Sequence, residues 1–210
     1  MKAKLTATDL ACARFGAPVF EGVTFQLISG AILVVRGPNG SGKSSLLRVL
    51  ASLLPPSEGT IACDLGAGVI PAEAVARSVH LVGHRSALTE ALSASENLRF
   101  QTAVLGGDRA LVGSALERVG LAASERTPAR LLSAGQRRRL ALARLITTPR
   151  PIWLLDEPTE FLDAAGETMV GELIEFHCRA GGIVVVASHG GLAAATASEL
   201  TLIPDLARAA

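Results

Sequence analysis

Gly37-Pro38-Asn39-Gly40-Ser41-Gly42-Lys43-Ser44 is the stretch that decides the fold. It fits G-x-x-x-x-G-K-[ST] at every fixed position, and it stands between an apolar run at 31–35 and a helix-period pattern over 43–54. A strand, a glycine-rich turn and a helix in that order make an anion cradle. The glycines let successive N–H groups turn inward, and the helix N-terminus adds its dipole. Lys43 is placed to reach the β- and γ-phosphates of a nucleotide, and Ser44 to offer its hydroxyl to Mg²⁺. A chance match in a flexible surface loop would lack the strand before and the helix after.

Working outward, residues 23–27 and 31–35 read as strands separated by Ser29-Gly30, and Pro55-Pro56 closes the helix of 43–54. Residues 57–78 read as short strands and loops, and 79–82 as a strand. Helical patterns over 95–104 and 109–119, broken by Gly106-Gly107 and Gly120, differ in character from what precedes them. They suggest a small helical lobe, about 91–147, inserted into a single domain spanning 1–210. Further helices are expected over 135–145 and 164–179. Strands are expected over 151–155, 183–187 and 200–203. Alternating strands and helices with continuous apolar strand runs indicate an α/β class with a mainly parallel sheet covered on both faces.

The chain of 210 residues is 49% hydrophobic and 19% charged, so a membrane span has to be weighed. A span needs about 20 consecutive apolar residues, and the apolar runs are far shorter. Lys+Arg is 20 against Asp+Glu 19, a formal charge of +1, which gives no global field for nucleic acid. Cys12, Cys63 and Cys178 are widely spaced and form no CxxC pair, which argues against a disulfide framework or a zinc site. The N-terminal Met-Lys-Ala-Lys is not followed by a leader-like apolar core, so a cytoplasmic protein is expected.

The second informative stretch is Pro151-Ile-Trp-Leu-Leu-Asp156-Glu157-Pro158. Two acids follow an apolar strand, and ligands of α/β sheets bind outside the carboxyl ends of strands. Asp156 suits Mg²⁺, directly or through water, and Glu157 suits the water that attacks the γ-phosphorus. A plain surface turn is the alternative, which the phosphate loop disfavours.

Leu132-Ser133-Ala134-Gly135-Gln136 precedes an arginine-bearing helix, Asp156 comes 23 residues after Ser133, Leu162-Asp163 follows, and His189 ends the next strand. This ordered set resembles the nucleotide-binding subunit of ABC transporters over about residues 5–203. The resemblance implies a P-loop NTPase core of the ABC type with N-terminal antiparallel strands, ATP and Mg²⁺ as ligands, and ATP hydrolysis coupled to transport. It implies that Gly37, Pro38, Asn39, Gly40, Ser41, Gly42, Lys43, Ser44 and Ser45 hold the nucleotide, that Phe15 stacks on adenine, and that Lys43, Glu157 and His189 are catalytic. It also implies a head-to-tail dimer of two copies. Ser133, Gly135 and Gln136 would serve the partner's ATP, and Asp163 would lie at the seam.

Three positions depart from the family pattern: Ala134 replaces a glycine, Ser45 a common threonine, and His84 a glutamine that contacts Mg²⁺ or water. His84 could act through a Mg²⁺-bound water. The Gly83-His84 segment, Glu96-Asn97-Leu98 and the residues around Ser133 and Asp156 make the chain similar to the ATP-binding subunit of the cytochrome c maturation (haem exporter) system. That similarity implies integral membrane partner subunits and a peripheral place on the cytoplasmic face of the bacterial inner membrane. No direct haem binding is expected, since no CxxCH is present, and Arg137-Arg138-Arg139 continues the signature helix rather than forming a nucleic-acid patch. Other readings are an ATPase for another small cargo, a soluble ATPase of repair or translation, and a non-hydrolysing scaffold. The last is opposed by Lys43, Asp156, Glu157 and His189.

Overall fold

The computed structural model describes residues 3–189 and 197–203, apart from the side chains of residues 72 and 73. Met1 and Lys2, at the head of the stretch weighed as a leader, lie outside the described residues. The chain runs β1 (Lys4–Arg14), β2 (Ala17–Ile28), β3 (Ile32–Arg36), α1 (Lys43–Leu50), β4 (Glu58–Asp64), β5 (Val69–Ile70), α2 (Ala72–Ser78) and β6 (Val79–Val82). It continues through α3 (Ala94–Val104), α4 (Val112–Arg118), α5 (Ala134–Thr147), β7 (Ile152–Asp156), α6 (Ala164–Arg179), β8 (Ile183–Ala187) and β9 (Ser198–Thr201). Two compact units result. The first holds residues 1–83, 150–157 and 173–210, and the second residues 84–149 and 158–172.

The first unit contains two sheets. One is wholly parallel in the order β6-β7-β8-β3-β9, and the other is antiparallel in the order β2-β1-β4-β5. Every residue of β7 and of β8 is buried, as expected for strands covered on both faces. Leu46, Leu47, Val49 and Leu50 of α1 join the same core. Complete burial of such side chains stabilises by about 1.5–3 kcal/mol each relative to exposure.

The helix after the phosphate loop is shorter than the apolar period suggests, ending at Leu50 instead of Leu54. Ser52 adopts a left-handed φ of 56°. Its N–H donates to Val49 O, and the Leu53 N–H donates to Arg48 O. This is a Schellman closure with serine at the position glycine usually fills. Leu53, which kept the period, is 66% exposed.

Within 57–78, read as strands and loops, residues 72–78 form α2, with Pro71 at its N-cap. Alternating alanines hide that helix from a hydrophobic-period reading. The long strand β1 is hidden for another reason. Its alternation fails where the register shifts between Ala7 and Leu10 and again before Cys12 and Ala13. Asp9 sits at that bulge with φ 47°, its carboxylate accepting from Thr24 Oγ1 at 3.0 Å. Gly59 faces the Thr8 and Asp9 carbonyls so closely that a Cβ there would overlap both.

The second unit is built from α3, α4 and α5. The expected helix over 109–119 begins as a 3₁₀ turn, Arg109–Leu111, before α4. α3 and α5 both open with reciprocal capping boxes. Ser93 pairs with Glu96, and Ser133 with Gln136, so each serine satisfies an N–H that helix geometry would leave orphaned.

In the first unit, His177 lies flat on Trp153, with ring centroids 3.8 Å apart and planes 8° from parallel. Gly182 lies so close beneath the imidazole that a Cβ would strike it. Burial pushes the His177 pKa down to about 4, against a smaller upward pull from the Pro151 and Ile183 carbonyls. The fold therefore favours the neutral ring. Below the ordinary value of 6.5 the unfolded chain takes up a proton that the folded chain refuses. Stability supplied by neutral His177 is complete above pH 6.5 and is lost as pH falls towards 4. We expect His177→Phe to flatten the urea-midpoint profile across that window relative to wild type. Parallel profiles would show that His177 carries none of the acid sensitivity.

Candidate active site

The first unit places the phosphate loop between the end of β3 and the start of α1. Gly37, Gly40 and Gly42 have φ of 148°, 83° and 95°, a conformation that L side chains rarely adopt. A Cβ on Gly42 would come 2.7 Å from Val19 Cγ1, and one on Gly37 would come 2.5 Å from Ser41 Oγ. Pro38, Asn39 and Gly40 are exposed, Ser44 is of intermediate exposure, and Ser41 and Ser45 are buried.

Lys43 is 7% exposed. Its ammonium donates to Gly37 O at 2.8 Å and to Pro38 O at 3.1 Å. Burial pushes its pKa down, opposed by the nearby charges of Glu157 and Asp156. Lys43 is thus a charged donor aimed back along the loop.

The acidic pair lies at the end of β7. Asp156 is the last strand residue and is 6% exposed. Glu157 turns sharply with φ 47°, and its N–H donates to Ala187 O at 2.8 Å. A non-glycine residue held in that region is strained, and such strain clusters at functional sites. The turn brings the carboxylate to His189, whose backbone N–H donates to Glu157 Oε2 at 3.2 Å. His189 Nε2 lies 3.3 Å from Glu157 Oε1 and 3.2 Å from Lys43 Nζ.

One nitrogen cannot serve both neighbours in a neutral ring. It accepts from Lys43 in the Nδ1–H tautomer, and its approach to Glu157 Oε1 is one of ion-pair distance. Residues 43, 157 and 189, far apart in sequence, therefore form one coupled polar cluster. The Ser44 hydroxyl and the Asp156 carboxylate are hard oxygen donors of the kind Mg²⁺ takes. Among the described residues no group of three or more His, Cys, Asp and Glu is clustered as a metal cage.

Phe15 is fully exposed, with φ 51°, and Gly16 follows with φ 79°. The two residues form the tight turn between β1 and β2, where both central positions need positive φ. A core role for this phenylalanine is excluded, and its ring is free to stack.

The remaining sequence-derived residues lie in the second unit. Ser133 caps α5. Its Oγ accepts from Gln136 N at 3.1 Å, and its N–H donates to Gln136 Oε1 at 2.9 Å. Gln136 Nε2 donates to Ser124 Oγ at 3.3 Å, so both ends of that side chain are engaged within the unit. Ala134, exposed at the first helical position, is not among the left-handed residues, and its methyl causes no backbone strain. Gly135 is held where a Cβ would come 2.7 Å from Phe161 O.

Arg138 is 3% exposed and donates to Pro158 O at 3.2 Å. Arg139 pairs with Asp163 at 2.7 Å. Two of the three arginines of the run are therefore committed within this unit. Asp163 also accepts from Gly166 N at 2.9 Å; that bond and Arg139 hold its pKa below the usual carboxylate range. His84 Nδ1 lies 2.7 Å from Glu160 Oε2. Sequence reasoning passed over Glu160, because no spacing rule joins residues 84 and 160.

A family model described as "ABC transporter" matches residues 20–160. The chain belongs to the ABC transporter family. It is 48% identical to the cytochrome c biogenesis ATP-binding export protein CcmA of Bradyrhizobium diazoefficiens, over 90% of this chain and 93% of that one. It is also 48% identical to CcmA of Cereibacter sphaeroides, over 95% of this chain and 89% of the relative. A putative ABC transporter ATP-binding protein of Pyrococcus furiosus has a solved structure with a TM-score of 0.82 at 25% identity. That match covers 95% of this chain and 97% of the other. An ATP-hydrolysing core of the ABC type is thus shown by family and fold together.

The close packing around the loop gives a test. We expect Gly42→Ala to cost about 1–3 kcal/mol in urea unfolding, from the left-handed φ and the approach of Val19, and to weaken ATP binding. Unchanged stability and affinity would show that the loop tolerates a Cβ at that position.

Proposed function

We propose that the two units, residues 1–210 together, form one ATPase domain that powers a membrane transporter of cytochrome c biogenesis, with haem handling as the process it drives. The observation that carries the ATPase reading is the cluster of Lys43, Glu157 and His189 within 3.3 Å at the carboxyl end of the parallel sheet. The likeness to the CcmA proteins supports the cytochrome c assignment.

In this reading the loop amides from Gly37 to Ser45 and the Lys43 ammonium bind the phosphates, while Phe15 stacks on the adenine. Ser44 and Asp156 would hold Mg²⁺, and His84 would act through a bound water. When bound, the metal would offset charge on the β- and γ-oxygens. Glu157 orients and deprotonates the attacking water. His189, joined to Lys43 through Nε2 and to Glu157 through its backbone N–H, contacts the γ-phosphate and positions the attacking water.

Two copies pack head to tail. The Ser133 hydroxyl, which accepts from Gln136 N in the capping box, keeps its own hydrogen to donate to the partner's γ-phosphate. The N-terminus of α5 at Gly135 faces the same anion, and Gln136 braces that turn. Asp163 lies at the seam. Integral membrane subunits receive the motion, and the chain sits peripherally on the cytoplasmic face of the inner membrane. No helix among the described residues is long and apolar enough to cross a membrane.

Glu157→Gln is expected to retain ATP, accumulate a dimer by size-exclusion chromatography and lower turnover by about 10²–10⁴-fold. Wild-type turnover would remove Glu157 from water activation. Phe15→Ala is expected to weaken ATP and GTP alike by about 1–2 kcal/mol, since every base offers a face for stacking. Unchanged nucleotide affinity by calorimetry would sink the stacking role. Mass spectrometry of membrane subunits co-purified with the chain tests the transport assignment.

A further inference from the structure

The geometry points to Glu160 as the positioning residue that fixes the tautomer of His84. Glu160 Oε2 lies 2.7 Å from His84 Nδ1. A carboxylate offers only acceptors, so Nδ1 carries the proton, and Nε2 of the neutral ring is left with its lone pair. Without a fixed partner at Nδ1 the neutral ring exchanges between two tautomers, and only one presents an acceptor at Nε2.

The pair arises from strand order. β6 and β7 are parallel neighbours, with Val82 opposite Leu155, and the chain leaves both at the same end. His84 is the second residue beyond β6, and Glu160 the fourth beyond β7. Phe161, next to Glu160, has its ring 6.4 Å from that of His84. Its carbonyl lies against Gly135. One short segment therefore touches both His84 and the turn that opens α5.

A purely stabilising role is small by comparison. The side chains are 60% and 35% exposed, and exposed ion pairs contribute only about 0–1 kcal/mol. A residue that orients a functional histidine acts on reactivity instead, and for the partners of metal-ligating histidines that loss costs about 10–100-fold. The catalytic consequence rests on the proposed ATPase role of His84. The tautomer itself does not.

Three measurements on the full chain test this. The ¹⁵N shifts of the His84 ring at alkaline pH, without nucleotide, should report Nδ1–H in wild type and a mixture in Glu160→Ala. An unchanged tautomer in Glu160→Ala overturns the proposal whatever the activity. ATP turnover should fall about 10-fold in Glu160→Ala, with KM within about twofold and Tm nearly unchanged. In a His84→Gln background the same substitution should cost little, because glutamine has no tautomer to fix. An equal loss in both backgrounds would assign Glu160 a role independent of His84 and overturn the proposal. Wild-type protein that binds but never hydrolyses ATP would defeat the ATPase reading, while the ring shifts would still decide the tautomer.

Discussion

The hydrogen bond from Glu157 N to Ala187 O, 2.8 Å long, is the fastening on which the site of the first unit depends. Strands β7 and β8 are already in parallel register, with Asp156 opposite Ala187. Extending β7 by one more residue in β conformation would send Glu157 along the strand. The left-handed turn at Glu157 keeps its amide on β8 while rotating the carboxylate towards His189. Main chain sets this placement, so the strain at φ 47° is held by the fully buried strands beneath it. The three polar side chains can then be close without being flexible.

Much of this was legible in the sequence, and the reasons differ from one residue to the next. The phosphate loop is a contiguous motif whose chemistry follows from backbone freedom, so its reading needs no tertiary contact. Asp156 and Glu157 follow because two acids end an apolar strand in a chain that also carries the phosphate loop, which disfavours a plain surface turn. His189 is different. A lone histidine at a strand end carries no signal of its own, and only the ordered set of motifs singled it out. Glu160 carried no signal at all, because it meets His84 through the adjacency of β6 and β7. α2 and β1 escaped for local reasons, an alanine-rich helix without an apolar stripe and a strand whose alternation is broken by a bulge.

Charge is used inward in the second unit. Arg138 is almost fully buried on the carbonyl of Pro158, and Arg139 bridges Val119 O and Asp163. Both lie on α5, directly behind the capping box. The helix that begins at Ser133 is thus anchored by its own arginines to the segment that follows the acidic pair. Gly135 completes the fit by lacking the side chain that would push Phe161 away. An arginine run that looks in sequence like a surface patch serves to hold one turn of helix in place.

Strand order has a consequence for the life of the chain on the ribosome. β3, which delivers the phosphate loop, pairs only with β8 and β9 among the described strands. Its partners are synthesised about 150 residues later. Contacts of such sequence separation are slow to form. Helices α3 to α5 find their neighbours within a span of 54 residues, and domains form as their partners emerge during synthesis. The loop at Gly37 follows a strand whose pairing closes only across that long separation. The strand that carries the nucleotide loop thus waits for partners far along the chain, whereas the helices of the second unit do not.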